Sequence, residues 1–453
     1  MLITTLPTSL KSVKATFLML ICLSTASLSY ATVYNCSTVN CIRDAMAIAN
    51  PGDEIIIAPG TYEPSGKIED AIGKFVRFTS DRSGSATNPI IIRGSSSTNR
   101  PLLQCPDNDI YDGAVISITG DHWIIRDIQV AQGSKGIMLD TANYCTLFNV
   151  DVQDVAEEAI HIRSGSSHNT IENCSVSNTG VQSPGFGEGI YIGSDRGQHG
   201  TYDPNCNNNT VTNCILGPNI RAEHFDIKEG TEYNVVKDCV MDGTGITGAN
   251  FSDSFMDIKG IYAFVYNNTF NVNGETNINS IIDFNNRTTS SYTYKTGYRN
   301  AFFNNTFNLG TLDYIPTATS RGAVSTEIHV WDNIRNPDSP WIKTSNTAAS
   351  TDAFEFCPSW NIVTCSTLGT DTVETLRFSF YPNPVKNELQ IVGDNLNDLS
   401  VTIYNIEGRL VFEKQLIVSE ETTRVDLSQL GAGVYILNLA GTSGHMTKMV
   451  IKE

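Results

Sequence analysis

Short segments in which apolar and variable residues alternate recur through the middle of the chain. This period-two pattern is typical of a strand with one buried face. Six copies align with one another: Gly136–Asp140, Ala159–Arg163, Gly189–Gly193, His224–Lys228, Phe255–Lys259 and Ile281–Asn285. If the copies stack, their second and fourth residues form apolar columns, and their third and fifth residues form two columns that point away from the core.

The outward columns concentrate ionisable and aromatic side chains. The first column contains Met138, His161, Tyr191, Asp226, Asp257 and Asp283. The second column contains Asp140, Arg163, Gly193, Lys228, Lys259 and Asn285. We therefore expect the functional face of the protein to lie along these columns.

A second repeated strand phrase carries Asn or Asp at one fixed position. The residues in register are Asp127, Asn149, Asn173, Asn213, Asp238, Asn267 and Asn304. Because Asn and Asp favour turns, this register predicts a ladder at one turn of a stacked repeat. Cys174, Cys214 and Cys239 occupy the next column, and we expect them to pack as small buried hydrophobes.

Successive copies of the first phrase are 23 to 35 residues apart. Such a period indicates a solenoid or a propeller. Recurring strands with variable insertions on one side favour an all-β solenoid of three sheets, a parallel β-helix. The insertions flank the outward columns and would form the walls of a groove. They are Gly180–Gly187, Ser194–Asn209, Gly243–Asp253 and Thr288–Tyr298. A helix-like segment, Cys36–Asn50, would cap the open end of the coil.

Composition divides the chain into four segments. Residues 1–31 read as a secretory signal peptide, with Lys11 and Lys14 ahead of an apolar run. Residues 32–335 form the β-helix domain, and residues 336–375 form a closing segment and linker. Residues 376–453 contain antiparallel-type strands separated by turns, which predicts a small β-sandwich.

The overall charge narrows the set of partners. The 453 residues carry a net charge of −18 with a pI near 4.8, which argues against nucleic acid and anionic membranes. Beyond the signal segment no apolar stretch is long enough to span a membrane. We expect a monomer that is secreted to the extracellular space or the cell surface. Cys36/Cys41 and Cys357/Cys365 are plausible disulfides in such an oxidising compartment.

The C-terminal segment resembles the sorting domain of type IX secretion cargo. The resemblance rests on Tyr381-Pro-Asn-Pro384, Tyr404-Asn-x-x-Gly408 and Leu430-x-x-Gly-Val-Tyr435. It implies export across the outer membrane by the type IX secretion machinery, and therefore a catalytic or binding module that works outside the cell.

The charged columns suggest chemistry as well as structure. Asp226 and Asp257 would lie about 4.8 Å apart on neighbouring strands, with Lys228 and Lys259 beside them. Carboxylates this close repel one another unless a cation or a lysine lies between them. Their oxygens are ligands that suit Ca²⁺. A lattice of Asp/Lys salt bridges on an exposed sheet would explain the same residues without any activity.

A groove with these groups suits an acidic polysaccharide that is cleaved by β-elimination at a uronate. In this hypothesis Lys228 is the base, with a pKa lowered by Ca²⁺ and by a second lysine. Lys259 or Arg163 stabilises the uronate carboxylate or assists the leaving oxygen. The expected Ca²⁺ ligands are Glu223, Asp226 and Asp257. The expected substrate-binding residues are His161, Tyr191, Arg287 and Glu188.

These features resemble right-handed β-helix polysaccharide lyases over roughly Val33–Asp332, including the segment Ser85–Arg93. The similar families are the Ca²⁺-dependent pectate lyases and the alginate/chondroitin lyases. In the latter, a Glu five residues before a Lys and an Arg one coil later form the site. Glu223, Lys228 and Lys259 occupy those places, so Lys replaces Arg in this chain. The second metal-ligand Glu of that pattern falls on Arg221.

Two other functional classes remain open. A glycoside hydrolase could use Asp226 and Asp257 as a retaining pair about 5 Å apart. The Asn-Thr-Asp, Asp-Asp, His-Gly and Arg-Ile-Lys elements of β-helix polygalacturonases are, however, missing from the sequence. The third class is a non-catalytic glycan-binding or adhesive solenoid, since a fold alone does not establish activity.

Overall fold

The computed structural model describes a defined part of the chain. The described residues are 31–287, 294, 296–310, 318–321, 326–338, 347–350, 379–381, 385–392, 399–405, 410–416, 422–441 and 444–452. The apolar run of the signal segment, the Cys357/Cys365 pair and most of the 336–375 segment lie outside them. The chain divides into two compact units, Met1–Asp352 and Ala353–Glu453.

The first unit is a parallel β-helix whose coils contribute strands to three faces. The face that carries the outward columns is called the site sheet. Its strands are Ile68–Glu69, Phe75–Ser80, Ala114–Ile118, Lys135–Asp140, Ile160–Arg163, Ile190–Ile192, Phe225–Ile227, Ser254–Ile258, Ser280–Asn285 and Ala318–Arg321. Every pairing in this sheet is parallel except that of its first two strands.

The two remaining faces are joined by long strands that cross from one to the other, Trp123–Ala131 and Thr146–Gln153. The second face also contains Val33–Cys36, Glu54–Ile57, Ile90–Gly94, Thr170–Glu172, Thr210–Thr212, Val235–Lys237, Phe264–Tyr266, Tyr298–Phe303, Thr326–Trp331 and Thr347–Ser350. The third face also contains Thr61–Tyr62, Leu102–Gln104, Ser175–Ser177, Ile215–Leu216, Val240–Asp242, Thr269–Asn271, Thr306–Asn308 and Ile334–Asn336.

The register of the site sheet confirms the predicted columns. Residues of the first outward column stand opposite one another on successive strands: Met138, His161, Tyr191, Asp226, Asp257 and Asp283. The alternate apolar residues fill the interior, where Ile160, Ile162, Phe225 and Ile258 are fully buried. Burial of one face locks the register, because a slip of one residue would turn the charged column into the core.

The predicted turn ladder is also confirmed, and the backbone explains its composition. From Asp127 to Asn304 its members adopt φ between 52° and 57°. This left-handed conformation is several-fold enriched in Asn and Asp among non-glycine residues. A second, buried ladder of Asn169, Asn209 and Asn234 was not predicted, and its side-chain amides are linked by hydrogen bonds of 3.0 and 3.1 Å.

The first coil is capped as expected. Helix Val39–Ile48 begins after Thr38, whose hydroxyl accepts a hydrogen bond from the backbone N–H of Cys41. Its Ile42 and Met46 are buried against the first coils. The Cys36–Cys41 disulfide is confirmed, and Cys174, Cys214 and Cys239 are buried as predicted.

The second unit contains two antiparallel sheets. One consists of Ser379–Tyr381, Glu388–Val392 and Thr422–Asp426, and the other of Leu399–Asn405, Leu410–Leu416, Gly433–Gly441 and Gly444–Lys452. Both sheets contribute to one apolar core, with Leu389 from the first and Ile403 and Leu437 from the second. This arrangement confirms the small β-sandwich. Among the described residues, no helix combines the length and the apolar character needed to cross a membrane.

Candidate active site

A cavity of about 460 Å³ lies over the site sheet where the charged residues of three successive coils meet. Its floor is formed by Tyr191, Asp226 and Asp257, one above the other in the first outward column. These side chains point away from the core, yet Asp226 is buried. The loops before and after the strands enclose the column, as the predicted groove requires, so the alternative of a salt-bridge lattice on an exposed sheet does not describe this point.

The two sides of the cavity differ in chemistry. Segments that precede the strands supply two acids and two aromatic rings, Glu188, Glu223, Phe186 and Phe251. Segments at and after the strand ends supply the cations and their partners, Lys228, Lys259, Asn285, Asp195 and Arg287. Because all strands here run parallel, the acids and rings that precede the strands lie on one side of the cavity and the cations that follow them lie on the other.

Lys259 lies between the stacked carboxylates. Its Nζ is 2.9 Å from Asp226 Oδ1 and 2.6 Å from Asp257 Oδ2. Asn285 Nδ2 donates a further hydrogen bond of 2.7 Å to Asp257 Oδ1. Burial raises the pKa of Asp257, but the charges of Lys259 and Lys228 outweigh it and lower the pKa overall. Lys259 therefore relieves the repulsion that two adjacent carboxylates would otherwise suffer.

Lys228 faces the cavity rather than the sheet interior. Its Nζ is 2.5 Å from Asp226 Oδ2 and 4.6 Å from the centre of the Tyr191 ring. Burial lowers the pKa of Lys228, but the charges of Asp226 and Asp257 raise it overall. In the cation-free protein the pKa is thus raised, opposite to the lowered value that we expected. Burial and the charge of Asp226 also raise the pKa of the Tyr191 hydroxyl, which stays protonated.

Three acids converge beside these groups. Glu188, Glu223 and Asp226 each place one carboxylate oxygen within 4.8 Å of the others, and all three are buried. Burial and the charges of Glu158 and Asp226 raise the pKa of Glu188 to about 8. Burial and the charges of Asp226 and Asp257 raise the pKa of Glu223 well above its usual range. Three buried carboxyl groups with oxygens this close suit a hard cation such as Ca²⁺. The positive charge of such a cation would offset the burial and repulsion that otherwise keep these acids protonated.

Arg287 reaches the cavity from the end of strand Ser280–Asn285 and is held by acids behind it. Its Nε is 3.3 Å from Oε1 of Glu229, and its Nη1 is 3.9 Å from Asp195. Glu229 is fully buried, and neither of its carboxylate oxygens has a hydrogen-bond partner among the described residues. Burial raises the pKa of Glu229. Among the described residues, Arg287 is the cation within ion-pair distance of this carboxylate, although its own side chain is 38% exposed.

Two expected site residues lie apart from the cavity. His161 packs beneath Tyr191 with ring centres 4.4 Å apart, and its two nitrogens contact Glu158 and the carbonyl oxygen of Gly193 at 3.0 Å each. Arg163 pairs with Asp140 and lies 4.0 Å from the ring of Tyr202. Neither residue lines the cavity. The other expected site residues do: Lys228, Lys259, Tyr191, Arg287, Glu188, Glu223, Asp226 and Asp257.

Comparison with known proteins places this fold in a family. Residues 32–306 match the family described as Pel9A-like, right handed beta helix region. The chain belongs to the Pel9A-like right-handed β-helix family. The Pel9A-like domain is 34% identical to a crystallised alginate lyase from Paenibacillus sp. str. FPU-7, with a TM-score of 0.63 over 70% of this chain and 99% of that one.

Curated relatives of the Pel9A-like domain match over shorter segments. Pectate lyase L of Dickeya chrysanthemi is 28% identical over 131 residues, which are 28% of this chain and 30% of the relative. An ulvan lyase of Nonlabens ulvanivorans is 27% identical over 95 residues, 20% of this chain and 17% of the relative. The chain thus spans less than a third of these relatives. The resemblance to β-helix polysaccharide lyases is confirmed.

The C-terminal unit has its own match. Residues 379–453 match the secretion system C-terminal sorting domain, as predicted. The sorting domain that follows the Pel9A-like β-helix indicates that the protein is secreted.

Proposed function

We propose that this protein is a secreted polysaccharide lyase that cleaves a uronate-containing polymer by β-elimination. The observation that carries the proposal is the contact of Lys228 with Tyr191 in one cavity, beside a cluster of buried acids. A β-elimination needs a base for the C5 proton, a proton donor for the leaving oxygen, and a positive charge near the uronate carboxylate. The lyase names of the relatives support the same reaction class.

The residues divide these roles according to their contacts. Lys228 is the base, since it faces the cavity and makes only one ion pair among the described residues. Tyr191, protonated and in contact with Lys228, donates a proton to the leaving oxygen. Arg287, on the same side of the cavity as Lys228, binds the uronate carboxylate. Lys259 keeps the floor carboxylates in place.

Glu188, Glu223 and Asp226 would hold Ca²⁺, so Glu188 takes the place that we first expected for Asp257. When bound, Ca²⁺ would neutralise these acids and polarise the uronate carboxylate. The raised pKa of Lys228 comes from acid charge, chiefly that of Asp226, whereas burial lowers it. Neutralisation of Asp226 would therefore remove the largest of these acid charges, although that of Asp257 stays, and would shift the pKa of Lys228 down towards the free amine that a base requires.

The hydrolase alternative is less well supported. A retaining pair needs one carboxyl group that is protonated near neutral pH. The lowered pKa of Asp257 and the position of Lys259 between the two acids argue against Asp226 and Asp257 in those roles. A non-catalytic glycan-binding protein would have no need for Lys228 and would depend on the aromatic residues instead.

The sorting domain supports export by the type IX secretion machinery, with action on extracellular polysaccharide. We propose that the chain works as a monomer, because one coil stack supplies every group named above.

The test is the ultraviolet absorbance of the unsaturated product, measured on alginate, polygalacturonate and ulvan with Ca²⁺ or with EDTA. Wild type should produce the signal, and Lys228→Ala and Tyr191→Phe should lose it by at least about a hundredfold. Lys237→Ala, a surface lysine paired with Asp238 on another face, is the matched control and should retain activity. Loss in EDTA that Glu223→Gln reproduces would support the Ca²⁺ site. New reducing ends without absorbance would instead establish a hydrolase.

A further inference from the structure

Two phenylalanine rings stand exposed at the rim of the cavity. Phe186 closes the short 3-10 helix Pro184–Phe186, and Phe251 closes the short 3-10 helix Ala249–Phe251. They are 56% and 79% exposed, and both line the cavity. Single exposed apolar residues are common on protein surfaces, but two exposed rings at the rim of one charged cavity are an arrangement that suits ligand binding.

The backbone keeps these rings at the rim despite its own preference. Phe251 has φ +66° and the preceding Asn250 has φ +54°. A bulky residue in this left-handed region is a conformational outlier. Such outliers persist where the surrounding structure imposes them, and they cluster at ligand sites.

The two helical turns are fixed against each other. Asn250 Nδ2 donates a hydrogen bond of 3.1 Å to the carbonyl oxygen of Gly185. A Cβ atom added at Gly185 would lie 2.6 Å from the Cβ of Asn250, so that only glycine allows this approach. The rings of Phe186 and Phe251 are therefore carried by one joined wall rather than by two independent loops.

We propose that Phe186 and Phe251 form an aromatic platform for a pyranose ring of the polymer next to the sugar at the reacting bond. This inference rests on the proposed function. A pyranose presents C–H bonds on its faces, and stacking on an aromatic ring buries apolar surface on both partners. The platform lies on the side of the strand starts, whereas Lys228 and Arg287 lie on the side of the strand ends. A uronate can thus place its carboxylate among the cations while its neighbour in the chain stacks on the rings.

The platform should act on substrate binding and on the choice of chain length, not on the chemical step. Phe186→Ala and Phe251→Ala should each raise KM for a polymer about three- to tenfold and leave kcat within about twofold. The rise of KM should be smaller on the shortest cleavable oligosaccharides, because these do not reach the platform. Phe251→Tyr should restore the wild-type KM, and Gly185→Ala should raise KM although it retains both rings.

Matched controls exist elsewhere on the first unit. Phe75 is as exposed as Phe186, at 56%, and Tyr111 is as exposed as Phe251, at 78%, and neither lines the cavity. Phe75→Ala and Tyr111→Ala should leave KM unchanged. An equal rise of KM in these controls would overturn the platform, as would unchanged KM in both rim variants.

A binding assay separates failure of the platform from failure of the lyase proposal. Affinity electrophoresis in gels with alginate, polygalacturonate or ulvan uses Lys228→Ala, which can bind but not cleave. If Lys228→Ala is retarded by the polymer and loses this retardation when Phe186→Ala and Phe251→Ala are added to it, the platform is supported. This holds even where wild type gives no unsaturated product and the lyase proposal fails. Unsaturated product together with unchanged retardation and KM in the rim variants would keep the lyase and reject the platform.

Discussion

The two lysines of the site make similar ion pairs, but their substitution should reduce the stability of the fold to very different extents. The side chain of Lys259 is 2% exposed and contacts the carboxylates of Asp226 and Asp257, which are 5% and 16% exposed, whereas that of Lys228 is 11% exposed and contacts one carboxylate. Lys259→Met leaves Asp226 and Asp257 adjacent without the cation between them. Removal of one partner from a buried ion pair costs about 3–5 kcal/mol. Lys228→Met leaves Asp226 paired with Lys259, so that no carboxylate is left without a cation, and the loss of one hydrogen bond should cost about 1 kcal/mol.

Thermal unfolding in EDTA measures this difference in stability between the two lysine variants. For a domain of roughly 300 residues, 1 kcal/mol corresponds to about 1.6 °C. Lys259→Met should therefore melt about 5–8 °C below wild type, and Lys228→Met within about 2 °C of it. Adding Asp257→Asn to Lys259→Met should recover part of the loss, because one unpaired charge is removed. Equal melting temperatures for the two lysine variants would refute the assignment of Lys259 as the counter-ion of the floor.

Three further outcomes follow from buried polar groups elsewhere. Asn209→Ala interrupts the buried asparagine ladder and leaves backbone and amide groups unpaired. Chemical denaturation should therefore show that the free energy of unfolding falls by about 3 kcal/mol. The control Asn88→Ala, at an exposed asparagine, should lower it hardly at all. Burial raises the pKa of Cys145 to about 12, so iodoacetamide at about pH 8.5 should label this thiol only after unfolding, as peptide mass spectrometry can show. Since the folded thiol resists ionisation, its contribution to stability is present below about pH 8.5 and is lost as pH rises from there towards 12. Glu229→Gln should raise the melting temperature slightly, because a buried carboxylate is removed. It should also raise KM about threefold, because Arg287 keeps only its longer contact with Asp195; a lower melting temperature would contradict this reasoning.

The register of the site could be predicted from sequence because a strand repeat of period two allows few errors. Once the apolar residues of each phrase face the core, the third residues must align. Tyr191, Asp226 and Asp257 therefore stand in one column, as expected. The left-handed turn ladder was predictable for the same reason, since only a few residue types tolerate its backbone conformation.

The grouping of side chains around that column was less predictable. Glu188 and Glu223 meet Asp226 because both precede their strands by the same two residues. The sequence indicated that both lie at the groove, but we expected Glu188 to bind substrate and not to join the metal ligands. Arg163 faces Asp140 and Tyr202 instead of the cavity, because the 194–209 insertion folds over it. The path of an insertion depends on how its own side chains pack, and its sequence does not follow the strand repeat. For this reason the aromatic rim, which lies in two insertions, was not predicted either.

The charges of the cavity suggest why an all-acid cluster persists beside two lysines. Four carboxyl groups border it, those of Glu188, Glu223, Asp226 and Asp257, against the ammonium groups of Lys228 and Lys259. Full ionisation would leave two negative charges uncompensated, and such a deficit is costly in a buried site. The raised pKa values of Glu188 and Glu223 show that protons balance it in the cation-free protein. A single divalent cation would balance it equally well, and the ionised acids would then no longer need those protons. The same residues are thus adapted to a buried site in both states.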